Sequence, residues 1–89
     1  MEEKAVVTVI GKNHMNILAP VAKEIAEANM DVVEVTQSIV DGYFSMVMSI
    51  DITLATKTIP ELEDCIKAAV PDMIVHVMHQ DIFASMHRI

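Results

Sequence analysis

Positive charge is scarce in this chain: six Lys and Arg stand against thirteen Asp and Glu among 89 residues, a formal net charge of −7. That balance is spread over helices and loops, and it excludes the electrostatic attraction that nucleic acid and anionic membranes require. Cysteine is limited to Cys65, so no intramolecular disulfide forms and nothing points to an oxidising compartment. No apolar run reaches the ~18 residues of a membrane-spanning helix. The acidic start, Met1-Glu2-Glu3-Lys4, does not suit a signal peptide. These features predict a cytoplasmic protein. Aromatics make up 3% of the residues and hydrophobic residues 53%, so the core has to be aliphatic and rich in Met. There is no internal repeat, linker or low-complexity segment, and a chain of this length reads as one domain over residues 1–89. Its apolar fraction exceeds what so small a core buries. The excess predicts self-association, as a dimer or a dimer of dimers.

What is present falls into alternating strand and helix patterns. Lys4 to Ile10 is Val-rich with two apolar faces, as a central strand requires. The stretch Ile10 to Ile17 is a short turn into a helical stripe of Ile17, Val21, Ile25 and Ala28, widened by Leu18, Ala22 and Ala26. Within it Gly11 permits close backbone approach or a positive φ, and Asn13 and Asn16 are both candidate caps. Pro20 belongs at the first turn, and Asn29 is a left-handed terminator. Val32 to Val40 and Tyr43 to Ile52 flank Asp41-Gly42, a type I′ hairpin signal. That turn sets Val40 against Tyr43, Ile39 against Phe44, Gln37 against Met46, Val35 against Met48 and Val33 against Ile50. One face of the hairpin is then apolar but for the amide of Gln37.

Thr58-Ile59-Pro60-Glu61 reads as a capping box with Pro in the first turn, opening a helix that Pro71 ends. Met73 to Met78 reads as a fourth strand. Residues 81–89 form a short helix, capped by Asp81, with Ile82, Phe83, Met86 and Ile89 on one side. The order β-α-β-β-α-β with right-handed crossovers gives an α+β, ferredoxin-like antiparallel sheet with two helices on one face, plus the C-terminal helix.

Several chemistries possible on that fold are excluded. The first loop has no Cys-x-x-Cys for carrying a metal, and the central strands lack the aromatics that stack RNA bases. The sole Arg, Arg88, sits in the tail, away from any phosphate-cradling loop. His76 and His79 project to opposite faces of a strand and do not chelate together. No metal, cofactor or catalytic group is expected, and no nucleophile–base pair or paired carboxylates converge. Cys65 reads as a small core hydrophobe. The turn is the one candidate site: its backbone N–H groups favour a carboxylate, and His14 is positioned either to meet a ligand carboxylate or to stand in solvent.

Two stretches then resemble the ACT domain, a regulatory amino-acid-binding module. They are Val7-Thr8-Val9-Ile10-Gly11-Lys12-Asn13-His14-Met15-Asn16-Ile17-Leu18-Ala19 and Ile25-Ala26-Glu27-Ala28-Asn29-Met30-Asp31-Val32. A third, Thr36-Gln37-Ser38-Ile39-Val40-Asp41-Gly42-Tyr43-Phe44-Ser45-Met46, is similar to small stand-alone ACT proteins and to the N-terminal part of a glycine-cleavage transcriptional repressor. The family's turn Asp falls on Asn13, its glycine before the helix on Asn16, and the polar residue opening its second strand on Asp31. The resemblance implies a non-catalytic protein forming side-by-side dimers, with an amino-acid-like effector between subunits. The implied ligand-binding residues are Gly11, Asn13, His14, Met15, Asn16 and Ile17 of one subunit, and Asp31 and Val32 of its neighbour. The alternative is a pure interaction protein that regulates a partner enzyme without a metabolite.

Overall fold

Both faces of the first strand are apolar, and the fold uses both. A computed structural model describes residues 3–86. The chain runs β1 (Lys4–Lys12), α1 (Leu18–Glu27), β2 (Asp31–Val40), β3 (Tyr43–Asp51), α2 (Ile59–Ala69), β4 (Ile74–His79) and α3 (Gln80–Met86). The strands form one antiparallel sheet in the order β2-β3-β1-β4. Ala5, Val7 and Val9 of β1 pair with Ile50, Met48 and Met46 of β3, and all six are buried. Val21 and Ile25 of α1 and Leu62 and Ile66 of α2 close over them in the same core. The two thioethers share this largely aliphatic core with the ring of Phe44.

Local signals fix the element ends. Asp41 and Gly42 both have positive φ, 53° and 79°, as a type I′ turn demands. Asn29, at φ 57°, closes α1 and donates from Nδ2 to the Leu54 carbonyl at 2.8 Å. At α2 the capping box is complete: Thr58 Oγ1 accepts from the Glu61 N–H, and the Glu61 carboxylate accepts from the Thr58 N–H at 2.8 Å. Those two bonds hold the Glu61 carboxyl below the usual glutamate range. The capping contribution is therefore fully present above that range and is lost as pH falls through the depressed native value. Replacing Thr58 with Ala is expected to lower stability by about 1 kcal/mol at neutral pH. The difference from wild type should shrink in urea titrations repeated on the acid limb.

Four sequence expectations need correction. A bulge in β2 between Val32 and Glu34 puts Val32, not Val33, opposite Ile50, while the register from Val35 to the turn is as expected. An extra residue absorbed near the strand's start leaves the turn-proximal pairs untouched. Neither Asn13 nor Asn16 caps α1: the N-cap is Ile17, without any side-chain cap, and Asn16 instead takes a left-handed conformation at φ 63°. Leu18 and Ala26 are exposed rather than part of the buried stripe. Asp81 lies inside α3, which starts at Gln80, and its backbone N–H donates to His79 Nδ1 at 3.2 Å.

α3 packs against β1 and β4. Val6 points away from the two long helices, yet it is only 6% exposed. Phe83 is half-buried, but Ile82 remains 56% exposed, so the expected side of the helix is only partly engaged. The Met86 side chain and Ile89 lie outside the described residues. Ile10, Val47 and Ile74 stay exposed on the same sheet face.

Candidate functional site

β1 and the hairpin together position the turn. The Gly11–Phe44 and Lys12–Tyr43 pairs carry the ladder to the end of the sheet, and the Asn13 N–H continues it by donating to the Gly42 carbonyl at 2.8 Å. Gly11 serves by close approach and not by a positive φ, because a Cβ there would lie 2.5 Å from the Met73 sulfur. The chain then turns through Asn16 into α1.

His14 is neither free nor merely solvated. Its Nε2 lies 2.7 Å from Asp72 Oδ2 and its Nδ1 2.7 Å from the Met15 carbonyl. Both partners are acceptors, so a ring carrying two N–H protons makes both contacts and a neutral ring only one. This pair ties the β1–α1 turn to the segment that follows α2.

Beside the turn lies a cavity of about 600 Å³, open to solvent. Its polar lining comes from Asn13, His14, Asn16 and Gln37, and its apolar lining from Ile17, Leu18, Ala19, Ala22, Ile39 and Phe44. The first turn of α1 contributes Leu18 and Ala19, with no side-chain cap and no acidic residue there. Pro20, the third helical residue, has no N–H to satisfy. The start of α1, without a side-chain cap, thus borders a mostly apolar hollow, a setting that favours a small anionic group on an apolar body.

Of the turn residues expected at a site, Asn13, His14, Asn16 and Ile17 line this cavity. Gly11 and Met15 do not, and Met15 is 84% exposed. Asp31 and Val32 sit at the far end of β2, roughly nine residue steps or ~30 Å from the hairpin turn, so within one chain they cannot reach it. Sequence reasoning missed Gln37, Ile39 and Phe44 as lining residues. The signal was visible in part, since Gln37 is the single amide on an otherwise apolar hairpin face.

Elsewhere, His76 Nδ1 approaches Glu63 at 3.7 Å, while Glu63 accepts from the Val77 N–H. Cys65 is half-buried and accepts a bond from Lys57 Nζ at 3.3 Å, instead of joining the core. The thiol beside it, helped by Glu24 and Glu27, holds the Lys57 ammonium above the ordinary lysine range. Among the described residues no group of three or more His, Cys, Asp or Glu gathers to hold a metal ion. None of the described helices is long and apolar enough to cross a membrane.

A ferredoxin-like sheet with two helices on one face, and a small-molecule-sized hollow at its first strand-to-helix turn, define a class of small α+β domain. Residues 3–80 match the ACT domain family, and the chain belongs to it. It is 40% identical over 88 residues to a UPF0237 protein of Listeria monocytogenes, covering 97% of this chain and 99% of the relative. A UPF0237 protein of Methanocaldococcus jannaschii is 36% identical over 88 residues, covering 97% and 98%. An ACT domain protein from Streptococcus pneumoniae superposes with a TM-score of 0.77 at 25% identity, over 93% of this chain and 96% of that one. A formyltetrahydrofolate deformylase from Pseudomonas syringae shares the fold over 28% of its own chain, with a TM-score of 0.74 at 16% identity.

Proposed function

We propose that the protein is a non-catalytic regulatory module that binds a small amino-acid-like effector in the turn cavity, between two copies of the chain. ACT domains are regulatory, ligand-binding modules, and one observation on this chain carries the reading. A helix N-terminus without a side-chain cap borders a mostly apolar hollow beside an edge strand that is exposed at every position. A carboxylate fits the helix donors and an apolar side chain fits the hollow.

The edge strand supplies the second copy. β2 presents ten residues, Val-rich and without Pro, beyond which the sheet ends. Such an edge pairs readily with another strand. Antiparallel, two-fold pairing of β2 with β2 sets the start of one strand against the end of the other. Asp31 and Val32 of one copy then approach Ile39 and Val40 of its neighbour, the end of the sheet where the cavity lies. Asp31 there offers a countercharge to an α-amino group. The complementary ends suit a zwitterion, and binding depends on pairing.

The test is titration calorimetry with the twenty proteinogenic amino acids, alongside light scattering at micromolar concentration. A dimeric or larger mass and a saturable amino acid are expected. Replacing Asn13 or Asp31 with Ala should each weaken binding by about 1–3 kcal/mol. A monomeric mass, or binding untouched by both substitutions, refutes the reading. The exposed β2 edge also favours a second reading, an interaction protein that assembles with itself or with an enzyme and takes no metabolite. A dimer that binds no amino acid at millimolar concentration selects that one.

A further inference from the structure

The cavity lining contains no Asp, Glu, Lys or Arg. Its imidazole, His14, already has one ring nitrogen against Asp72 and the other against a backbone carbonyl. In a chain with 21% charged residues, this stretch of surface offers a ligand side chain no Asp, Glu, Lys or Arg, and its one imidazole is already paired with Asp72. A charged group entering it loses water and gains no partner, which is among the costliest exchanges a site imposes. Apolar side chains meet the opposite situation, because Ile17, Ile39 and Phe44 line the hollow.

Gln37 is the exception that carries information. It projects from β2 opposite fully buried Met46 and between Val35 and Ile39, each apolar. Packing at that position is served as well by a Leu or Met. Among the described residues its amide has no hydrogen-bond partner, although it faces the cavity. An amide left unpaired beside apolar groups becomes costly once a second copy and a ligand exclude water, unless the ligand bonds it. The donors at the start of α1 and Asp31 of the second copy are taken by the two ends of a zwitterion. Gln37 on the strand side is left to meet the side chain.

We infer that the cavity selects amino acids with an uncharged, largely apolar side chain, and that Gln37 is the residue setting that selectivity. This deepens the proposed function and rests on it. An amide both donates and accepts, so it tolerates a neutral polar atom on the ligand and compensates neither a carboxylate nor an ammonium. A charged residue in its place changes the choice by supplying the missing counter-ion.

The experiment is calorimetric titration of the full-length protein, Gln37→Lys and Gln37→Glu with Leu, Met, Gln, Glu and Lys, then with the remaining proteinogenic amino acids. Gln37 is exposed within one copy, so the variants keep the fold, and an unchanged thermal midpoint and light-scattering mass without ligand verify both fold and pairing. Wild type is expected to bind at least one of Leu, Met and Gln, and to bind Glu and Lys roughly tenfold to a hundredfold more weakly. Gln37→Lys should close that gap for Glu, and Gln37→Glu should close it for Lys. Equal or tighter binding of charged amino acids by wild type, or an unaltered ranking in both variants, overturns the inference and leaves the amino-acid reading standing. Wild type that binds no amino acid overturns both.

Discussion

Replacing Leu62 with Ala is expected to lower the unfolding free energy by about 2–5 kcal/mol, enough to leave a small domain barely folded. Leu62 is fully buried on α2 and belongs to the one cluster formed by both long helices and the sheet. The cluster it belongs to is built largely of Val, Ile, Met and Ala on regular elements, with Phe44 as its ring, and regular elements close only partly over a gap. The loss therefore combines the transfer term of the deleted methyl groups with a persistent cavity. Urea titration at fixed protein concentration measures it, and the midpoint should fall with an unchanged slope. A loss under about 1 kcal/mol would mean that Met46 and Met48 flex into the space, and that the core is softer than its burial implies.

Truncation after His79, which removes α3 and the tail, should lower stability by roughly 1.5–3 kcal/mol while leaving the six-element core folded. α3 packs against β1 and β4, its own Phe83 is half-buried, and Val6 of β1 is buried although its side chain faces away from α1 and α2. Removing it also ends the bond from the Asp81 N–H to His79. Exposed Val6 would join Ile10, Val47 and Ile74 in a wider apolar patch, so a second consequence is a tendency to associate through that sheet face. Thermal melts and light scattering on the truncated chain read the two effects separately. An unchanged melting temperature and mass would show that α3 is a passive appendage.

Much of this was written in local chemistry. Asp41-Gly42 dictated a hairpin, and the period-two pattern on either side agreed with the register the turn imposes from Val35 to Val40. Thr58 to Glu61 announced the start of α2 because both partners of a capping box lie within four residues. The bulge at Val32–Glu34 escaped, since a single inserted residue leaves no mark on a run as uniformly apolar as Val32-Val33. The caps of α1 escaped too. Two Asn residues were offered, and the chain uses Asn16 for its tolerance of positive φ and neither of them for its side-chain oxygen.

The sequence by itself determined which segments are strands and helices, which faces are apolar, and that the core is Met-rich. Those facts follow from periodicities of 2 and 3.6 and from turn and cap chemistry acting over a few residues. Only the tertiary structure decided that His14 is held by Asp72, that β2 stays exposed along its whole length, and that Gln37, Ile39 and Phe44 line the cavity with the turn. Each of those depends on where α1 stops covering the sheet and on which loops meet at its end. Such meetings are made by residues far apart in the chain, and no local pattern encodes them.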